Sequence, residues 1–306
     1  MQKILVLGGS GMLGSMVTDV LSGDPELKVT ATVRSEKIQK LFGTQIPEVE
    51  WRLFDIVTAG EDILNRICEG NSWIVNAIGM TKPYTRDDNA GEIERAIRIN
   101  AQFTYDLGHA AVAVGAQVLQ IATDCVYDGV KGGYTESDPH NPIDVYGKTK
   151  SLGEALLPSV LCLRCSIIGP EPKAYAFLLE WFLRQPRNAA INGFVNHQWN
   201  GVTTLHFAKL CRAIIRDSIS LPHLQHIIPK ESISKYNLLK SFAASYDRGD
   251  LTIQPTEAKY VIDRTLKTDN ETMNLKLWQA AGYHAPPSIP EMVAELASFS
   301  YRLEGV

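Results

Sequence analysis

KILVLGGSGMLG, residues 3–14, decides how the rest of the chain is read. Its run of Ile, Leu and Val suits a strand buried on both faces. The run breaks at Gly8-Gly9 and passes directly into MLGSMVTDVLS, whose apolar residues recur at helical spacing. The loop reads as G-x-G-x-x-G from Gly9 or as G-x-x-G-x-x-G from Gly8. In either register Gly11 lets the backbone approach a pyrophosphate, and Gly14 lets the helix pack closely on the sheet. The anion then rests on free N–H groups at the positive end of the helix dipole. Strand, loop and helix follow in the order a dinucleotide site requires, which a plain tight turn does not explain.

Outward from this unit the pattern repeats. KVTATV (28–33), WIVNAIG (73–79), QVLQIATD (117–124) and VLCLRCSII (160–168) are apolar runs bounded by turn residues. Between them EDILNRICE, EIERAIRINAQFTYDLGHAAVAVG and YGKTKSLGEALL carry helical periodicity. Such alternation predicts an α/β fold, a doubly wound parallel sheet with helices on both sides and its ligand at the carboxyl ends of the strands. After about residue 170 the rhythm changes. TTLHFAKLCRAIIRD (203–217) returns to a helix and HLQHIIP (223–229) to a short strand. A nucleotide-binding domain is therefore expected over 1–170 plus 203–229. A smaller C-terminal substrate-binding domain is expected from 171–202 plus 230–306.

Composition narrows the class. Of 306 residues 45% are hydrophobic and 21% charged, as in a globular protein. Thirty basic against 34 acidic residues give a formal charge of -4, which excludes a polybasic surface for nucleic acid or membrane. Cys162 and Cys165 form a C-x-x-C inside an apolar run, with no second ligand pair for a metal, and read as reduced core thiols with Cys68, Cys125 and Cys211. The N-terminus enters a strand after one Lys, and no apolar run approaches the ~20 residues of a membrane span. A cytoplasmic protein is expected, with a homodimer as a compatible assembly.

Arg34, followed by Ser35 and Lys37, stands where NAD-binding proteins usually place a carboxylate for the ribose 2′-hydroxyl. A guanidinium there suits a 2′-phosphate, so NADP(H) is the expected cofactor; a merely solvated Arg34 leaves that preference open. Asp55, with Ile56 beside it, closes WRLFD where an adenine would rest. Y-G-K-T-K (146–150) places Tyr146 and Lys150 one helical turn apart on one face. Reducing a ketone by hydride transfer leaves an alkoxide to be protonated. A phenol of pKa near 10 is a poor acid for that purpose unless a cation lowers it. Thr123, ending what counts as the fourth strand of such a sheet, adds a hydroxyl for the carbonyl oxygen. Lys148 and Thr149 fall on other faces and read as solvated.

ATDCVYDGVKGGYTESDPHNPIDVYGKTKSLGEALL (122–157) resembles the signature stretch of the dTDP-4-dehydrorhamnose reductase family, within the extended short-chain dehydrogenases/reductases. GGSGMLG, NAIGMTKP and LRCSIIGPE resemble its other landmarks. The resemblance implies an NADPH-dependent ketoreductase acting on a nucleotide-linked deoxy sugar, at C4, with Thr123, Tyr146 and Lys150 as its catalytic trio. It implies that Gly8, Gly11, Met12 and Leu13 line the pyrophosphate, and that Ala77, Ile78 and Gly79 pass the adenosine ribose. Asn100 would brace its helix, and Cys165, Ser166 and Ile167 would lie near the nicotinamide. The chain departs from the family at Cys125, where a Tyr is common after T-D, so an aromatic contact to the sugar is lost.

On the substrate side, Lys82 in the loop after WIVNAIG stands to meet a diphosphate oxygen or a sugar hydroxyl, or to be solvated. Asp124 and Cys125 flank the same end. Asn196, His197 and Trp199 belong to the most unusual polar-aromatic cluster of the chain. His197 reads as a hydrogen-bonding group, and Trp199 equally as a sugar contact or as an anchor of the domain junction. Dehydration is disfavoured because T-D-C lacks the Glu that dehydratases of the superfamily carry, and epimerisation because Arg34 replaces an acidic residue. A non-enzymatic reading stays open, since the beta subunit of methionine adenosyltransferase resembles the same family.

Overall fold

Ile4 and Val6 face one side of the first strand and Leu5 and Leu7 the other, all four fully buried. That alternation with no polar side is what a strand covered by helices on both faces requires. In the computed structural model, which describes residues 1–303, these side chains seed two cores. The elements among the described residues follow the chain as strands β1 (Gln2–Leu7), β2 (Leu27–Val33), β3 (Glu50–Leu53), β4 (Trp73–Asn76), β5 (Gln117–Ala122), β6 (Val160–Arg164) and β7 (Ile167–Ile168). β8 (Ala190–Phe194), β9 (Gln198–Trp199), β10 (Val202–Thr203), β11 (Leu224–His226), β12 (Ile233–Ser234) and β13 (Thr252–Thr256) come after. The helices are α1 (Met12–Ser22), α2 (Glu36–Gln45), α3 (Glu61–Cys68), α4 (Ala90–Ala96), α5 (Phe103–Val114) and α6 (Val145–Leu152). Then come α7 (Leu178–Leu183), α8 (Thr204–Arg216), α9 (Lys235–Ser245), α10 (Glu271–Ala280) and α11 (Ile289–Ser298).

The central sheet has the order β11-β6-β5-β4-β1-β2-β3, parallel throughout. Ile4 and Val6 pack with Met16 and Val17 of α1 and with α8, while Leu5 and Leu7 pack with Leu64 of α3 and Leu107 of α5. The doubly wound fold expected from the sequence is thus observed. Strand order reverses between β1 and β4, and the carboxyl ends on either side of that point form a crevice. Shorter two-stranded sheets, β8 with β13, β9 with β12 and β7 with β10, lie beyond it.

Several boundaries differ from expectation. β3 has no apolar run because it is the edge strand and buries only Trp51. Thr123 therefore follows the fifth strand in chain order, not the fourth. VLCLRCSII is two strands, since the chain turns at Cys165-Ser166. The helix of YGKTKSLGEALL ends at Leu152. The long helical pattern over 92–115 widens to π-type geometry at Ile97–Gln102.

Behind the sheet edge lies a buried polar network. Arg164, 0% exposed, donates to Glu154 and to the Tyr127 hydroxyl, and also reaches Nε2 of His226 at 2.9 Å and Nε2 of His140 at 2.7 Å. A guanidinium can only donate, so both Nε2 atoms are acceptors and both imidazoles are neutral. His226 Nδ1 then donates to the Lys267 carbonyl at 2.7 Å, and His140 Nδ1 to Ser151 Oγ at 2.7 Å. Burial, and the Arg164 charge against the pull of nearby carboxylates, hold both histidines below their usual range. A depressed folded pKa contributes stability that is complete above the unfolded value of about 6.5 and lost as pH falls through the folded values. The unfolding free energy is therefore expected to be flat from pH 8 to 7 and to decline on acidification below about 6.5. In His226→Gln that decline should be shallower, as read by urea titration at each pH; an unchanged slope would remove His226 from the account.

Candidate functional site

The glycine loop begins where β1 ends. Gly8 takes φ +82°, and a Cβ on Gly14 would lie 2.2 Å from the Gly8 carbonyl oxygen, so no larger residue fits there without moving the helix. Gly11 stands at the N-cap of α1 and offers no side-chain cap, leaving the helix's first N–H groups for an anion. Gly8 donates to Thr32 Oγ1 at 3.0 Å and Gly9 to the Thr32 carbonyl at 2.8 Å, which fastens the loop to the end of β2. Arg34, just beyond, is exposed, and Ser35 caps α2 by accepting from Ile38 N at 3.3 Å. Ala77 and Ile78 lie directly against Gly8. The loop, its uncapped helix and the exposed guanidinium fit an adenine dinucleotide bearing a 2′-phosphate.

Asp55 spends one carboxylate oxygen on Val57 N at 2.9 Å, and Ile56 is in the core at 8% exposure. Cys165 is 2% exposed, with its thiol pushed well up by burial, and Ile167 pairs with Val202 beside it.

Thr123, Tyr146 and Lys150 converge at the end of β5. Thr123 accepts from Cys125 N at 3.2 Å, and its hydroxyl also bonds the half-buried Tyr146 phenol. Asp144 caps α6 through Gly147 N at 2.8 Å and pairs with Lys82 at 2.7 Å. Burial alone would raise the Asp144 carboxyl, but the Lys82 bond, the Gly147 N–H and the Lys82 charge outweigh it and hold it low. Burial raises the Tyr146 phenol, and its neighbours Cys125, Asp124 and Asp144 add to that against the Thr123 bond. Lys150, 7% exposed and lowered by burial, donates to the Ile121 carbonyl at 2.7 Å. That bond uses one of the ammonium's three N–H donors, and the phenol is raised rather than lowered as a neighbouring cation would do.

Helix α6 can approach this closely because residue 147 is Gly. A Cβ there would sit 2.2 Å from the Cys125 carbonyl oxygen and 2.8 Å from Pro142 Cβ. Gly147→Ala is therefore expected to push α6 off the turn and destabilise the fold by about 1–3 kcal/mol, the usual cost of overpacking, measurable by chemical denaturation. A wild-type midpoint would show that the turn yields freely.

Thr149 is not solvated as its spacing suggested. It is 3% exposed and meets Asn100 Nδ2 at 3.1 Å, because the π-type segment packs on that face of α6. Asn100 also exchanges two hydrogen bonds with Met80, at 2.7 and 2.8 Å, so it braces the loop after β4 against α6 rather than only its own helix. Lys148 is exposed as expected.

The 196–199 cluster is largely occupied by its own fold. Asn196 exchanges two hydrogen bonds with Ala258, each 2.9 Å, and His197 Nε2 reaches the Tyr260 carbonyl at 2.9 Å. Trp199, 7% exposed, donates to Ser166 Oγ at 2.9 Å, the geometry of a junction anchor. Cys125 is half-buried, with its thiol pushed up to about 12 by burial first and Asp124 second.

Two cations of this site had no signal in the sequence. Lys235 opens α9, its N–H donating to the His197 carbonyl at 2.8 Å. Burial lowers its pKa while Asp124 and Cys125 act in the opposite sense, and its ammonium has no hydrogen-bond partner among the described residues. Arg264 donates through Nε to the Tyr127 carbonyl at 2.8 Å and acts on Cys125 and Asp144. Both arrive from more than 80 residues downstream of Tyr146.

A family profile described as the RmlD substrate binding domain matches residues 1–300. The chain belongs to that family. Among its relatives, the dTDP-4-dehydrorhamnose reductase of Aggregatibacter actinomycetemcomitans is 30% identical over 210 residues, covering 66% of this chain and 63% of that protein. The beta subunit of methionine adenosyltransferase 2 from Bos taurus is 39% identical over 175 residues, covering 53% of this chain and 52% of that one. The matched stretch is less than two thirds of either relative's length. Of solved structures, the dTDP-4-dehydrorhamnose reductase of Bacillus anthracis, in complex with NADP, superposes with TM-score 0.73 at 19% identity over 97% of this chain and 98% of that one. A UDP-glucuronic acid 4-epimerase variant from Bacillus cereus gives 0.72 at 17% identity over 97% and 98%. Reductase and epimerase structures share this fold alike. The family resemblance read from the sequence is borne out. Among the described residues no helix is long and apolar enough to cross a membrane.

Proposed function

We propose that the chain reduces the keto group, at C4, of a nucleotide-linked deoxy sugar with NADPH. The observation that carries this reading is the meeting of Thr123, Tyr146 and Lys150 at the carboxyl end of β5, in the crevice the glycine loop also faces. NADPH, when bound, supplies the hydride. Thr123 holds the carbonyl oxygen, and Tyr146 delivers its phenolic proton to that oxygen as negative charge builds on it. The raised phenol pKa keeps Tyr146 protonated until then. Lys150 steadies the nicotinamide ribose and offsets the phenolate left behind. Gly8, Gly11, Met12 and Leu13 receive the pyrophosphate and Arg34 the 2′-phosphate. Lys235 and Arg264, aided by Lys82, receive the anionic oxygens of the sugar nucleotide. In this reading residues 1–170 and 203–229 form the main cofactor-binding unit, and 171–202 with 230–306 the main sugar-nucleotide unit.

The test follows NADPH fluorescence with purified protein and a panel of nucleotide-linked 4-keto-6-deoxy sugars. Consumption with one member supports the reading and names the substrate. Binding of NADPH without consumption by any would overturn it. That outcome would favour a second reading, a cofactor-binding regulatory subunit, for which the 39% identity to the Bos taurus subunit speaks. Co-purification with a methionine adenosyltransferase catalytic chain would then decide that alternative.

A further inference from the structure

The chain beyond β7 turns back over the glycine loop. Glu171, 5% exposed, accepts from the Phe177 N–H at 2.7 Å, and its own N–H reaches Glu180 Oε1 at 3.3 Å. These bonds close residues 171–177 into a strap. Inside it Ala174 and Tyr175 hold φ of 71° and 50°, left-handed positions that residues with a Cβ seldom take without cause. The Arg184 guanidinium covers the Tyr175 ring at 3.5 Å from its centroid, bracing the outer side. The strap also carries Lys173 to the glycine loop. Lys173 Nζ donates to Ser10 Oγ at 3.0 Å, across 163 residues of sequence.

Ser10 belongs to the part of the loop that is fastened to β2 through Thr32, two residues before Arg34. The Arg34 charge reaches Lys173 there: burial lowers the Lys173 pKa, and Arg34 lowers it further. Neither cation has a carboxylate partner among the described residues. Two like charges near one another without a counter-ion repel. A dianionic phosphate between them turns that repulsion into two charge-assisted contacts. The pyrophosphate belongs elsewhere, on the first N–H groups of α1 beyond Gly11.

We propose that Lys173 is a second cation for the 2′-phosphate of NADP(H), closing on it from the strap while Arg34 meets it from the sheet. This rests on the cofactor reading above and adds to it a specificity residue outside the glycine loop and the β2 end. The test is the binding of NADPH, NADH, 2′,5′-ADP and 5′-ADP by calorimetry, without turnover, in the wild type, Lys173→Met and Lys173→Arg. Lys173→Met should weaken NADPH and 2′,5′-ADP about 10–100-fold, the range for a charge-assisted hydrogen bond. It should leave NADH and 5′-ADP unchanged, and Lys173→Arg should retain most of the affinity. Equal weakening of NADPH and NADH would move the contact to the pyrophosphate and overturn the assignment, as would no change in either. A wild type that fails to bind NADPH would be a failure of the cofactor reading itself, visible before any variant is made.

Discussion

Tyr146→Phe is expected to lower kcat about 10²–10⁴-fold, the contribution typical of a positioned general acid, while NADPH affinity stays at the wild-type value. The substitution removes one oxygen and keeps the ring, so the packing of α6 against the turn at Asp124–Val126 is preserved. What is lost is the proton that the alkoxide needs and the bond to Thr123. Because burial raises the phenol, the wild-type rate should not fall through loss of that proton anywhere in the neutral range. Single-turnover oxidation of bound NADPH, compared with its dissociation constant, separates the two quantities. A variant with unchanged turnover would remove Tyr146 as the acid, whatever the substrate. A variant that lost cofactor affinity in parallel would point to a role in binding.

Arg164→Met should destabilise the fold by about 3–5 kcal/mol, the cost of leaving one partner of a buried ion pair alone. Glu154, its partner, has a side chain only 9% exposed. The same change strips the donor from His140, His226 and the Tyr127 hydroxyl, so four groups on separate segments lose a bond at once. Urea unfolding of Arg164→Met, Glu154→Gln and the double variant measures the coupling. The double variant is expected to be less destabilised than the sum of the two singles. A loss under about 1 kcal/mol in the single variant would show that water replaces the guanidinium in the cavity. The network stands behind β6 and β11, so its loss also loosens the frame that holds Lys150 on the Ile121 carbonyl.

The parts of the fold that were legible are those whose signal is local. β1, its loop and α1 lie within 21 consecutive residues and carry their own periodicity and glycines. Tyr146 and Lys150 are one turn apart on one short helix, and Thr123 ends an apolar run. β3 was not legible, because an edge strand of four residues that buries one side chain leaves no period to read. The solvated reading of Thr149 failed for a similar reason. Helix spacing says which residues share a face, but not that a neighbouring helix will cover the other one.

Sequence alone therefore determined the doubly wound architecture, the dinucleotide loop and the Tyr146–Lys150 pair, since each depends on residues a few positions apart. Tertiary structure decided the rest. It brought Lys235 and Arg264 to the end of β5 and Lys173 to Ser10, tied Lys150 to a carbonyl, and seated α6 on a turn that tolerates no Cβ at position 147. These are contacts between segments tens to hundreds of residues apart. Their residues carry no mark of the meeting, because a lone Lys or Gly satisfies the local chain equally well wherever it ends up.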